Sequence, residues 1–182
     1  MNNGWQKDKE FKEEIGSFII AFSEFEFGLV SLCSMTEFDL RQNDKYIIKY
    51  LGYTFEKKIS HLTDFISENL HELTPNWDKI KKEIMPINKE RRFLVHGHMN
   101  YGLPNEHITT HIKEKDNITT KRQKLEEIRS NTNKIHNLIS GENGIRGEFE
   151  ILFTKTRINK WNKLVNDESK IIYRINSEIL SD

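Results

Sequence analysis

Residues 11–32, FKEEIGSFIIAFSEFEFGLVSL, set Phe11, Ile15, Phe18, Phe22, Phe25, Leu29 and Leu32 at alternating spacings of four and three. That rhythm keeps the apolar side chains within one stripe of a 3.6-residue helix and scatters them over both faces of any strand, so the segment predicts a long core helix. Ile19, Phe27 and Val30 fall off the stripe, which implies a second buried face. Either a second copy of the chain covers it or the C-terminal helices do.

Downstream, residues 41–53 (RQNDKYIIKYLGY) break the rhythm with polar residues and Gly52, and Thr54 offers an N-cap for a second helix. That helix carries Phe55, Ile59, Leu62, Ile66 and Leu73 and is predicted to run to about residue 73. Thr74 and Pro75 suit the N-cap and first position of a third helix. Its apolar rhythm passes through Trp77, Ile80, Ile84, Ile87, Arg91 and Leu94, with Gly97 as its stop. Pro86 should kink or briefly break it.

Beyond it, GHMNY and HITTHI are strand-like segments separated by GLPNE, a turn composition, and predict a small β-hairpin. Thr120 and Gln123 have the spacing of a capping box for a fourth helix bearing Leu125, Ile128, Ile135 and Leu138, which Gly141 closes. Trp161, Leu164, Ile171, Ile175 and Ile179 suggest one or two more helices, although EFEILFT (148–154) fits a strand equally well. The expected fold is all-α: a bundle of four to six helices with a small hairpin after the third. One domain would span 1–182, with a core at about 8–140 and additional C-terminal helices at about 145–181.

Composition narrows the functional classes. A chain of 182 residues can close a core without disulfides or structural metal. Its 28 basic and 28 acidic residues balance at a pI of about 7.1, so nucleic acid or anionic membrane must be met by a local patch, not a global field. Cys33 is the single cysteine, which excludes an internal disulfide and suits a reducing compartment. No uninterrupted apolar run approaches the ~20 residues of a membrane span, and the polar opening MNNGWQKDKE lacks the apolar stretch of a secretion signal. A cytoplasmic protein with no membrane association is expected.

The stretch INKERRFLVHGHMNYG (87–102) sets a harder problem. At about 100° per residue, Arg91 lies in the middle of the stripe defined by Ile80, Ile84, Ile87 and Leu94. An unpaired guanidinium in a core costs several kcal/mol or more. Arg91 must therefore meet a carboxylate such as Glu24 or Glu26, reach out to an edge, or line an interface open to an anion. His96 ends the same helix one residue before Gly97, where an imidazole can project past the last turn. A histidine there also complements the C-terminal dipole. An arginine and a histidine close together suit phosphoryl chemistry: the neutral imidazole can accept a ribose hydroxyl proton, and the guanidinium can hold phosphate oxygens.

Arg91, four intervening residues, His96 and Gly97 at a helix end resemble the signature of the HEPN superfamily, an arginine and a histidine four to six residues apart. The resemblance covers roughly residues 8–140 and implies a helical bundle with the motif near its third helix, dimerised so that two motifs face each other. It further implies a metal-independent endoribonuclease, without a cofactor, of toxin–antitoxin or antiviral systems, with Arg91 and His96 as the catalytic pair. A nucleotidyltransferase-like antitoxin is a common partner in that family. Arg92 stands where the family commonly has a small polar residue such as asparagine. Helix geometry puts Arg92 on the face of His96, whereas Arg91 is about 140° away; Arg92 could then steady the imidazole or bind phosphate.

Three alternatives stand beside this reading. His96, His98, His107 and His111 surround the hairpin, but structural zinc usually takes thiolates and catalytic zinc three well-supported ligands, so no metal is expected. Lys113, Lys115, Lys121, Arg122 and Lys124 form a basic run that could track an RNA backbone or simply be a solvated surface. Finally, the chain could be a catalytically inactive HEPN-like dimer that binds RNA or a partner protein.

Overall fold

The computed structural model describes residues 3–100, 107–114 and 117–179. Helix α1 runs from Asn3 to Met35, and its predicted stripe is its buried face from Phe11 to Leu32. Each aromatic or leucine side chain buried there contributes about 2 kcal/mol of transfer free energy. Packing thus holds α1 in place, since its first turn has no acid and its last turn no base. It packs most extensively against α5 and also touches α2, α3, α4 and α6.

Residues 41–53 are more ordered than their polar letters suggest. Asp39 caps a short 3-10 turn by accepting the Arg41 N–H, and α2 follows at Asn43–Leu51, anchored by fully buried Tyr50. α3 spans Phe55–Asn69 with Thr54 as its N-cap, the side chain accepting the Lys57 N–H at 3.3 Å. It stops short of residue 73 because Leu70 leaves helical geometry, and residues 71–73 form a 3-10 turn. Phe22 meets Phe55 at 5.4 Å between ring centroids, which fixes α1 on α3.

α4 spans Thr74–His96 and continues through Pro86 without the predicted break; its N-cap is Leu73, so Thr74, expected as the cap, is the first helical residue and Pro75 the second. Pro86 lies on the exposed side, where the backbone carbonyl its ring leaves unpaired can turn to water. Gly97 ends the helix through its N–H to the Phe93 carbonyl, in extended backbone at φ −87° and ψ 148°. Its hydrogen is needed for space: a Cβ there would collide with Thr110 Cγ2 and the Phe93 carbonyl.

Three strands follow, β1 (His98–Asn100), β2 (His107–Glu114) and β3 (Asn117–Lys124), in one antiparallel sheet ordered β1-β2-β3. The predicted pairing of GHMNY with HITTHI is there, while its turn lies outside the described residues. The third strand corrects the capping box: Thr120 and Gln123 are strand residues, and the cap is one turn later, where Glu127 accepts the Lys124 N–H at 3.0 Å. α5 covers Leu125–Ser140 and Gly141 closes it. After a tight turn at 145–149, α6 runs from Glu150 to Ile179. Phe149 and Phe153, four apart and both buried, place EFEILFT on the helical side of its ambiguity.

One apolar core unites α1, α2 through Tyr50, α3, the turn through Leu70 and Leu73, α4, β2, α5 and residues 145–153. Within it Val30 is covered, whereas Ile19, Ile20 and Phe27 of α1 remain exposed. By length and composition, α1 is also long and apolar enough to cross a membrane, with a mean hydropathy of 1.6 over an 18-residue window, half of which is buried in this fold. This corrects the expectation of no such segment. Glu24 and Glu26 interrupt the apolar letters without bringing their average below the spanning range.

Candidate functional site

α4 delivers the two arginines and the histidine because it stays regular through Phe93 and Leu94 to His96. Leu94 keeps that last turn against the core, leaving Arg92 and His96 exposed on one side and Arg91 half-buried on the other. The Arg91 side chain is 30% exposed, and its nearest carboxylate oxygen is Glu26 Oε2, 3.8 Å from Nη1. That is ion-pair range but beyond a hydrogen bond. The guanidinium carbon lies 4.8 Å from the centroid of the Phe22 ring, a cation–π seat. Arg91 Nε is buried and has no hydrogen-bond acceptor among the described residues.

Glu26 is the carboxylate anticipated beside Arg91, but its closer partner is Lys58. Lys58 Nζ is 2.8 Å from Glu26 Oε1 and also donates to the Tyr53 carbonyl at 2.8 Å. Two cations therefore share the Glu26 carboxylate, while Glu56 of α3 accepts from Asn88 of α4 at 3.0 Å one turn before Arg91. Sequence reasoning missed Lys58 and Phe22 as neighbours of Arg91: the charged partner is 33 positions away, on another helix, and no local spacing signals it.

The remaining predicted residues separate. Lys121 faces inward from β3, ion-paired with Glu90 and 5.6 Å from the Phe93 ring centroid, while Gln123 donates to the other Glu90 oxygen at 2.8 Å. Arg122 points to the opposite, exposed side. His98 also lies outward, directly across from His111, whose Nδ1 is 2.8 Å from Thr120 Oγ1. Among the described residues no group of three or more His, Cys, Asp or Glu side chains is placed to hold a metal ion. A cleft between α4 and α5 is lined by Lys79, Lys82, Glu83, Glu90 and Lys134 among others.

A second polar cluster joins the end of α1 to α2 and α3. Tyr50 Oη donates to Glu37 Oε1 at 2.8 Å, Lys49 Nζ lies 2.6 Å from the same oxygen, and His61 Nε2 is 3.1 Å from Tyr50 Oη and 2.8 Å from Thr36 Oγ1. Burial pushes the Tyr50 hydroxyl up to about 12 and lowers His61, which the Lys49 charge lowers further. Burial opposes ionisation of Glu37, but hydrogen bonds from Lys49 and Tyr50 win and hold it below the usual carboxylate range. Burial likewise pushes the Cys33 thiol up to about 12, which leaves it inert as a nucleophile.

No family model, curated protein or solved structure matches this chain.

Proposed function

We propose that the chain is a metal-independent endoribonuclease of HEPN type, acting as a cytoplasmic homodimer in a toxin–antitoxin or antiviral role, with Arg91 and His96 of two protomers forming the cleavage site. The observation that carries this reading is the incomplete neutralisation of Arg91. Many structural arginines at a core edge take a close, two-pronged carboxylate; here the carboxylate is 3.8 Å away and already bonded to Lys58. A guanidinium in that state retains hydrogen-bonding capacity for a phosphate.

The dimer reading draws on exposed apolar side chains near the motif. Val95 follows Arg91 by one turn on the core-facing side of α4, yet is 43% exposed. On α1, exposed Ile19 lies about 60° around the helix from Phe22, which seats Arg91, while exposed Ile20 and Phe27 lie about 140–160° away, Phe27 beside Ile145 and Arg146. A second copy related by a two-fold axis that covers Val95 and Ile19 would bring two motifs together.

In the proposed step His96 accepts the 2′-hydroxyl proton, the 2′ oxygen forms a bond to phosphorus, and the bond from phosphorus to the 5′ oxygen breaks. The leaving oxygen takes a proton from the imidazolium of the second copy, giving a cyclic phosphate. Arg91 stabilises the charge on the phosphate, and Arg92, on the face of His96, supplies a further cation. The test is cleavage of single-stranded RNA with chelator present: His96→Ala should abolish it while melting unchanged, and Arg91→Ala should abolish it in a chain that still melts cooperatively, though at a lower temperature. Full activity in both variants overturns the proposal.

A second reading is a catalytically inactive HEPN-like dimer that binds RNA or a partner protein such as an antitoxin. The seat of Arg91 on Phe22 beside Glu26 favours it, because such a seat is also what a structural arginine uses. RNA binding without cleavage, unchanged in His96→Ala, would select it.

A further inference from the structure

We infer that the outward face of the β1-β2-β3 sheet is a docking surface for single-stranded RNA, with His98, Thr109, His111, Thr120, Arg122 and Lys124 as its contacts. The choice of RNA as ligand rests on the nuclease reading above; the surface itself follows from the sheet.

Strand alternation sorts the basic run into two populations. Ile108, Thr110, Ile112 and Gln123 are buried against the helices, and Lys121 shares their side, its charge met by Glu90. The intervening residues face solvent. The register aligns His98 with His111 and Thr120 in one cross-strand row, Asn100 with Thr109 and Arg122 in the next, and His107 with Lys124 beyond. The outward positions of the described strands contain no acid, although the chain has as many acids as bases. Arg122, Lys124 and neighbouring Lys113 are exposed and their side chains form no ion pair among the described residues, although Glu127 accepts the Lys124 backbone N–H.

The chemistry of the face selects the ligand. Arg122 and Lys124 stand two residues apart on β3, about 6.8 Å along the strand, and can hold two successive phosphates of a backbone. Imidazoles offer flat faces for unstacked bases, and the threonine hydroxyls can bond 2′-hydroxyls, the contacts that single-stranded RNA offers on an open sheet. A protein partner would need apolar anchors, and Ile118 is the one large apolar side chain exposed on the outward side of the described strands. The face also begins two residues after His96, so a strand laid on it leads to the proposed cleavage site.

The experiment uses the full chain carrying His96→Ala, with anisotropy of a fluorescein-labelled single-stranded RNA read across a salt series in chelator. Adding Arg122→Glu and Lys124→Glu should weaken binding at least ~10-fold, and the neutral pair Arg122→Gln and Lys124→Gln should reduce the salt slope by ~1.4, the value for two lost phosphate contacts. Lys163→Glu, an exposed position on α6, serves as the charge control and should bind like its parent. Unchanged affinity in the glutamate pair, or equal competition by polyglutamate of matched length, overturns the inference, the latter assigning the face to an acidic protein. If His96→Ala protein still cleaves while the glutamate pair loses binding, the cleavage site fails and this surface stands. If His96→Ala is inactive and the glutamate pair binds normally, the surface fails alone.

Discussion

Lys58, with a side chain only 3% exposed, sets its ammonium 2.8 Å from Glu26 Oε1. Burying that cation is tolerable because a carboxylate and the Tyr53 carbonyl receive it. Glu26→Gln should therefore destabilise the fold by about 2 kcal/mol, by leaving a buried charge half-compensated. Adding Lys58→Met should recover most of that loss in urea unfolding; a double variant no more stable than the single one would show that the pair is not the source.

For Arg91 the decisive replacement is lysine. A point charge keeps the cation but loses the planar fork and the stacking on Phe22. If the guanidinium stabilises the transition state, Arg91→Lys should lower kcat for RNA cleavage by ~10²–10³ with little change in KM. A matched rise in KM at constant kcat would place Arg91 in substrate binding instead.

Hydroxyl hydrogens fix the state of His61. Thr36 donates to the Cys33 carbonyl and Tyr50 to Glu37, so His61 Nε2 carries a hydrogen shared between their oxygens. The folded-state pKa of His61 lies below the ordinary histidine value of ~6.5, chiefly through burial. The unfolded chain thus binds more protons in that window, so the stability contributed by His61 is present above ~6.5 and is lost as pH falls towards the folded pKa. The urea midpoint should drop between about pH 7.5 and about pH 5.5, and His61→Gln should flatten the drop.

Gly97→Ala tests the joint between α4 and the sheet. The backbone there is available to any residue, so the penalty is steric, from Thr110 Cγ2 and the Phe93 carbonyl. A loss of about 2 kcal/mol is expected, partly reversed by Thr110→Ser, which removes the methyl. Thermal melting reads both.

The self-association proposed above depends on α1 and the last turn of α4. Ile19→Glu and Val95→Glu should dissociate a dimer without lowering the melting temperature of the monomer, because both side chains are already exposed, Val95 by 43%. Sedimentation that finds the parent chain monomeric at all concentrations removes the two-fold site altogether.

Helix stripes and several helix ends could be read from the sequence, whereas elements that depend on distant partners could not. The stripes of α1, α3 and α4, the Thr54 cap and the stops at Gly97 and Gly141 could be read because each depends on residues within a turn or two of one another. β3 was hidden: NITTKRQK has few apolar letters, and only pairing with β2 and the inward contacts of Lys121 and Gln123 with Glu90 make it a strand. α2 was hidden because little more than Tyr50 needs burying. Within the site, the exceptional position of Arg91 was visible from helix phase, whereas Lys58 and Phe22, which give it its surroundings, come from other helices.

The spine helix has a consequence for biosynthesis. α1 leaves the ribosome about 90 residues ahead of α5, the helix it packs against most, an interval of ~5–20 s at ordinary translation rates. Throughout it, a segment hydrophobic enough for a bilayer is a nascent chain without its folding partner. Chaperones or targeting factors that read apolar helices would meet this chain early, and slowing translation between codons 36 and 124 should increase its aggregation.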